Sequence, residues 1–128
     1  MKNNLCQALI LCLTLTILCS TAHAHDPWTW TDTALEVLFA GALEVDREQT
    51  LEASKYPNRY FETNKVLGEH PDAYKINTWM GACLVGHAAI AYMLPKPYRT
   101  AWQGIWIVFE VNQVEHNRKV GLGVSLRF

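Results

Sequence analysis

The stretch INTWMGACLVGHAAIAYML at residues 76–94 decides how this chain is read. Across its 19 residues there is no Asp, Glu, Lys or Arg. As a helix it would extend about 28 Å, close to the hydrocarbon thickness of a bilayer. Ala82 and Gly86 form a small-xxx-small pair, which lets another helix approach closely. Pro95 and Pro97 stop the helix. A spanning helix is therefore expected over 74–94.

Two further helices are expected on either side. Over 33–53, Asp32 or Thr33 can cap the start, and Glu36 sits where a capping box wants it. Leu35, Leu38, Phe39 and Leu43 alternate with Glu36, Glu44, Arg47 and Glu48, so the segment is amphipathic. It either lies at the interface or spans with its acidic face against protein. Over 100–117, Trp102, Ile105, Trp106, Ile107, Val108 and Phe109 supply the apolar content. Glu110, Gln113 and Asn117 fall on one helical stripe. The short connection at 95–99 makes the second and third helices antiparallel neighbours. The tail at 120–128 alternates apolar and small or polar residues, as a strand does. It also resembles the last strand of an outer-membrane barrel, but nothing upstream repeats the alternation a barrel needs. The expected fold is all-α: a small membrane bundle of three helices with a short extended tail.

Composition agrees with that reading. The chain has 128 residues, 50% of them hydrophobic and 18% charged, with a net charge of -1. Charged residues are scarcer than the roughly 25% of an ordinary soluble domain. There is no basic excess to neutralise phosphates, so no nucleic-acid partner is expected. Lys2, an apolar run over 8–18 and Ala22-x-Ala24 have the three parts of a secretory signal. Residues 1–24 are expected to be cleaved, leaving a single domain over 25–128. Of the four Cys, Cys6, Cys12 and Cys19 lie in that signal. Cys83 remains alone and cannot make an internal disulfide. With three spans, the inside would hold Lys55, Arg59, Lys65, Arg118, Lys119 and Arg127, against Lys96 and Arg99 outside. That asymmetry follows the positive-inside rule and puts the C-terminus in the cytoplasm.

Polar residues within the helices are the candidate site. Counted along the helices, Asp46 and Glu110 lie at nearly one depth, with Gln49, Thr50, Asn77, Gln113 and Asn117 in the adjoining turns. Carboxylates in such a setting are costly, and they mark functional sites by default. Two of them close together would not both ionise easily. The candidate cluster is Asp46, Gln49, Thr50, Glu62, Asn64, Asn77, His87, Glu110, Gln113 and Asn117. Glu62 and Asn64 either bond the backbone of the turn set by Gly68 and Pro71 or fold back onto the Asp46 layer. Cys83 and His87 have a metal-compatible spacing, but two residues do not make a metal site. No metal and no cofactor are expected.

These residues carry a resemblance. Asp46-x-x-Gln49-Thr50, then Glu62-Thr63-Asn64-x-x-Leu67-Gly68-x-x-Pro71, His87, Tyr98-Arg99, Trp102-Gln103, Glu110 and Asn117 resemble a group of small uncharacterised bacterial and phage-borne membrane proteins. The likeness covers about 32–128. Lys65 stands where the group usually has Pro. The resemblance implies a membrane architecture and this choice of residues, and it brings no chemistry.

Three functions are consistent with the sequence. The first is an inner-membrane protein that associates with the lipid bilayer and with another membrane protein or a second copy of itself. The second is a membrane-embedded enzyme or proton-handling site built on Asp46, Glu62 and Glu110. No nucleophile motif, phosphate loop or complete metal-ligand set supports it, so an enzyme ranks below association. The third is a periplasmic helical domain.

Overall fold

A computed structural model describes residues 26–123. The expected signal at 1–24, the start of the mature chain at His25 and the end of the tail at 124–128 lie outside those residues. Three helices are present: α1 (Trp30–Ser54), α2 (Ala73–Met93) and α3 (Lys96–Lys119). Among the described residues the fold is all-helical and has no strand.

Side-chain bonds fix the direction of the helices. Asp32 meets Arg99, Glu36 meets Gln103 and Asp46 meets Asn117, so α1 and α3 run parallel. Glu36 meets His87 and Arg47 meets Asn77, so α2 runs against α1. The order is up–down–up. The expected antiparallel hairpin of α2 and α3 is present, but its connection is only Leu94 and Pro95. Pro95 caps α3, and Pro97 lies in its first turn, where its missing N–H costs nothing. The most extensive packing is between α1 and α3.

The helix ends explain the shifted boundaries. α1 starts at Trp30 because Thr29, not Asp32, is its cap. Thr29 Oγ1 accepts from the Asp32 backbone N–H, and the Asp32 carboxylate accepts from the Thr29 backbone N–H at 2.7 Å. That reciprocal pair is a capping box one turn earlier than Thr33 and Glu36 would have made it. At the other end, the expected strand from 120 is not seen over 120–123, where the chain caps α3 instead. Gly121 turns left-handed at φ 93°. The Gly121 N–H then donates to Arg118 O at 3.1 Å, and the Leu122 N–H donates to Asn117 O at 3.0 Å. This is a Schellman cap, closed by burial of Leu122. A Cβ at Gly121 would meet only Tyr60 Oη, at 3.7 Å. Gly121→Ala is therefore expected to cost about 1 kcal/mol through backbone strain rather than a clash. A chemical melt that leaves the midpoint unchanged would contradict this cap.

The apolar core is small: Phe39, Leu43, Leu67, Ile76 and Met80. Leu67 belongs to the 55–72 loop and anchors it between the helices. The interior also holds Asp32, Gln49, Thr50, His87, Arg99, Gln103 and Glu110. Meanwhile Val37, Val85, Tyr98, Ile105 and Val108 are each more than 60% exposed. Polarity is thus inverted relative to an ordinary globular domain, where charged side chains are rarely buried.

The expected spans are corrected in one respect. Among the described residues no helix is long and apolar enough to cross a membrane. Asn77, Thr78, Trp79, His87 and Tyr92, with Gly81 and Gly86, dilute the uncharged run of α2. The small-residue pair does not face a helix of this chain either. Ala82 is exposed, and a Cβ at Gly86 would have nothing within 4 Å.

Candidate functional site

The inward stripe of α1 reads Asp32, Glu36, Phe39, Leu43, Asp46, then Gln49 and Thr50, at helical spacing. The inward stripe of α3 begins at Arg99 and Gln103 and ends at Glu110, Gln113 and Asn117. Both stripes are polar at the two ends and apolar in the middle. Parallel packing brings like ends together, so the bundle holds two separate polar clusters on either side of the apolar core.

One cluster is a cavity of about 330 Å³. Asp46 of α1, Glu62 and Asn64 of the loop, and Glu110, Gln113 and Asn117 of α3 line it. Trp79, Trp106, Phe109 and Cys83 stand in its walls together with the core residues Leu43, Leu67 and Met80. The loop residues meet both expectations held for them. The Glu62 carboxylate accepts from the Asn64 N–H at 2.8 Å, and Asn64 Oδ1 accepts from the Val66 N–H at 3.0 Å. These bonds and Gly68, at φ 77°, shape the turn that points Glu62 at Asp46. Asn117 Nδ2 donates to Asp46 Oδ1 at 2.7 Å. Glu110 is only 6% exposed, and its carboxylate receives no hydrogen bond from any described residue.

The electrostatics follow from that geometry. Burial, then the charge of Glu62, pushes the Asp46 carboxyl up to about 6, against the weaker opposing effect of Asn117. Burial, then the charge of Asp46, pushes Glu110 up to about 7. Both causes disfavour the ionised form, and neighbouring carboxyls titrate together. The Cys83 thiol is also raised, by burial and then by Glu110. A thiol held protonated is a poor nucleophile.

The other cluster was not read as a unit from the sequence. The Arg99 guanidinium is wholly buried. It donates to Asp32 Oδ2 at 3.2 Å, to Ala91 O at 3.0 Å and to Asp26 O at 3.0 Å. Burial works to raise the Asp32 carboxyl, but hydrogen bonds from Thr29 and the pairing with Arg99 outweigh it and hold the carboxyl below its usual range. Gln103 Nε2 donates to Asp32 O and to Glu36 Oε2, each at 3.0 Å. His87 Nδ1 lies 2.8 Å from Glu36 Oε1, and its ring stacks on Phe39 with centroids 3.7 Å apart. A polar period starting at Arg99 was present in the sequence. It was missed because Arg99 was assigned to the connection and Asp32 to a cap.

The ten sequence-predicted residues therefore divide. Asp46, Glu62, Asn64, Glu110, Gln113 and Asn117 share the cavity. His87 does not belong with them, because it pairs with Glu36 in the Arg99 cluster. Asn77 does not either: its Oδ1 accepts from Arg47 Nη1 at 2.7 Å on the outer rim of α1 and α2. Gln49 serves the α3 cap, donating to Val114 O and Leu122 O. Thr50 lines a neighbouring cavity with Tyr60 and His116. No group of three His, Cys, Asp or Glu among the described residues is arranged to hold a metal ion. In comparisons with known proteins the chain matches no family model, no curated protein and no solved structure.

Proposed function

We propose that this protein is a helical bundle held at the inner membrane, where it acts by association of its apolar outer surface with another membrane protein. The observation that carries the reading is the inverted polarity, with charged residues such as Asp32, Arg99 and Glu110 inside and Val85, Ile105 and Val108 outside. Exposed apolar residues grouped on helix faces mark interaction surfaces. The open face of Gly81, Ala82 and Gly86 on α2 leaves room for a partner helix. The resemblance to small bacterial and phage-borne membrane proteins, and the expected export signal, fit the same location.

Alkaline carbonate extraction of cell membranes tests this. The protein is expected in the pellet, and Val85→Glu is expected to move at least part of it to the supernatant. Wild-type protein found wholly in the supernatant would favour a periplasmic domain instead.

The cavity supports a second reading, a proton-handling site built on Asp46, Glu62 and Glu110. Carboxyls raised towards neutrality can hold and release a proton near pH 7. Asp46→Asn and Glu110→Gln would abolish such an activity without changing membrane location.

A further inference from the structure

We infer that the cavity between α1, α3 and the 55–72 loop is a binding site for a small organic ammonium ion. The inference rests on the carboxylate cavity and not on membrane association, so either can fail alone.

Three observations converge. First, the cavity of about 330 Å³ falls within the size range of small-molecule sites. Second, Asp46, Glu62 and Glu110 line it and no Lys, Arg or His does, so the protein supplies negative charge with no counter-ion of its own. Glu110 adds a specific demand. It is 94% buried and faces the cavity without a hydrogen-bond donor. Its carboxylate is met from the cavity side alone, so a donor that enters there is the partner the protein itself does not supply. Third, three aromatic rings stand among the apolar residues of the remaining wall, beside Leu43, Leu67 and Met80. Trp79, Trp106 and Phe109 offer ring surfaces of the kind that attract cations, and quaternary ammonium groups above all. The carboxylates do not form a cluster suited to a metal ion, which leaves an ammonium carried on a small apolar body as the matching chemistry.

The titratable groups facing such a cation are Asp46 from α1, Glu62 from the loop, Cys83 from α2 and Glu110 from α3. A bound cation favours ionised carboxyls, so binding expels protons and tightens as pH rises from 6 to 8. Cys83 stays neutral across that range because its thiol is raised.

The test is a tryptophan-fluorescence titration of the full chain in detergent micelles at pH 7.5. The probes are n-butylammonium and tetramethylammonium chloride, with sodium chloride and magnesium chloride at matched ionic strength as controls. A saturable response to the ammonium salts alone is expected. Glu110→Gln is expected to weaken it at least tenfold, and Trp106→Phe to remove much of the signal. Glu62→Gln, in the loop and outside the helix packing, is expected to weaken it several-fold and gives a second readout that does not disturb the helix interior. Micelles doped with an ethanolamine lipid separate the two sources of the group. Competition with butylammonium assigns the site to a lipid head, and an undisturbed titration assigns it to a free amine. An equal response to sodium or magnesium, or full binding by Glu62→Gln and a folded Glu110→Gln, would overturn the inference.

Discussion

Arg99→Met is expected to lower the stability of this protein by about 3–5 kcal/mol, the usual cost of removing one partner from a buried charge pair. The size follows from what the guanidinium holds. Besides Asp32 it satisfies Ala91 O at the end of α2 and Asp26 O ahead of α1, and it lies over the Trp28 ring. Methionine fills similar space, so the loss is polar rather than steric: the buried Asp32 carboxylate loses its counter-charge, and the Ala91, Pro27 and Asp26 carbonyls each lose a donor. Arg99→Lys keeps the charge but not the planar fork, and should fall between the two. At the size of this domain the methionine variant should melt more than 10 °C below wild type. Adding Asp32→Asn should recover part of the loss, because the uncompensated buried charge goes while an amide oxygen can still accept from the Thr29 N–H. An Arg99→Met protein that melts with the wild type would show that this cluster holds nothing together.

The second large effect is a fall in stability as pH rises from 5 to 8. In the folded chain Asp46 titrates near 6 and Glu110 near 7, whereas in the unfolded chain both have ordinary carboxyl values. Below about pH 4 both states are protonated and the carboxyls contribute no difference. Between about 4 and 7 the folded state keeps protons that the unfolded state has released, so stability declines with each step in pH. Above 7 the full cost of two ionised neighbours is present. Asp32 acts in the opposite sense, but its depressed carboxyl is felt only in the acid range below. Glu110→Gln imitates the protonated form. It should flatten the decline and raise stability at pH 8 by on the order of 2 kcal/mol. Since it also relieves Asp46, adding Asp46→Asn should gain less than it does alone. Denaturant melts across this pH range check both points, and a wild-type midpoint that rises from pH 5 to 8 would contradict the paired carboxyls.

The number of helices, and the meeting of Asp46 and Glu110 in one cavity, were legible in the sequence, because helical period and depth along a helix are local quantities. The loop's part was legible as well: Glu62-Thr63-Asn64 and Gly68 fix a turn whose side chains can reach only so far. Asn77 was misplaced because depth alone does not give helical phase. Its turn faces Arg47 rather than the cavity. His87 was misplaced because its true partner, Glu36, had been assigned to a cap. The Arg99 cluster shows the larger limit. A charged residue next to Pro95 and Pro97 reads as a solvent-facing connection until the neighbouring helices provide carbonyls and a carboxylate to receive it. Over 120–123 the expected strand gives way to a helix cap, because alternation cannot tell a strand from a cap in which Gly121 turns the chain and Leu122 is buried.

The central claim is that the apolar outside of the bundle is covered in its working state while the charges stay inside. Nitroxide accessibility at position 85 tests it most directly. The label is attached through Val85→Cys, with the native cysteines replaced by alanine, and the protein is reconstituted in lipid bilayers with a second sample labelled at Lys65 in the loop. The account predicts that the label at 85 collides freely with oxygen and hardly at all with a water-soluble nickel chelate, while the label at 65 shows the reverse. A label at 85 as open to the chelate as the one at 65 would contradict it.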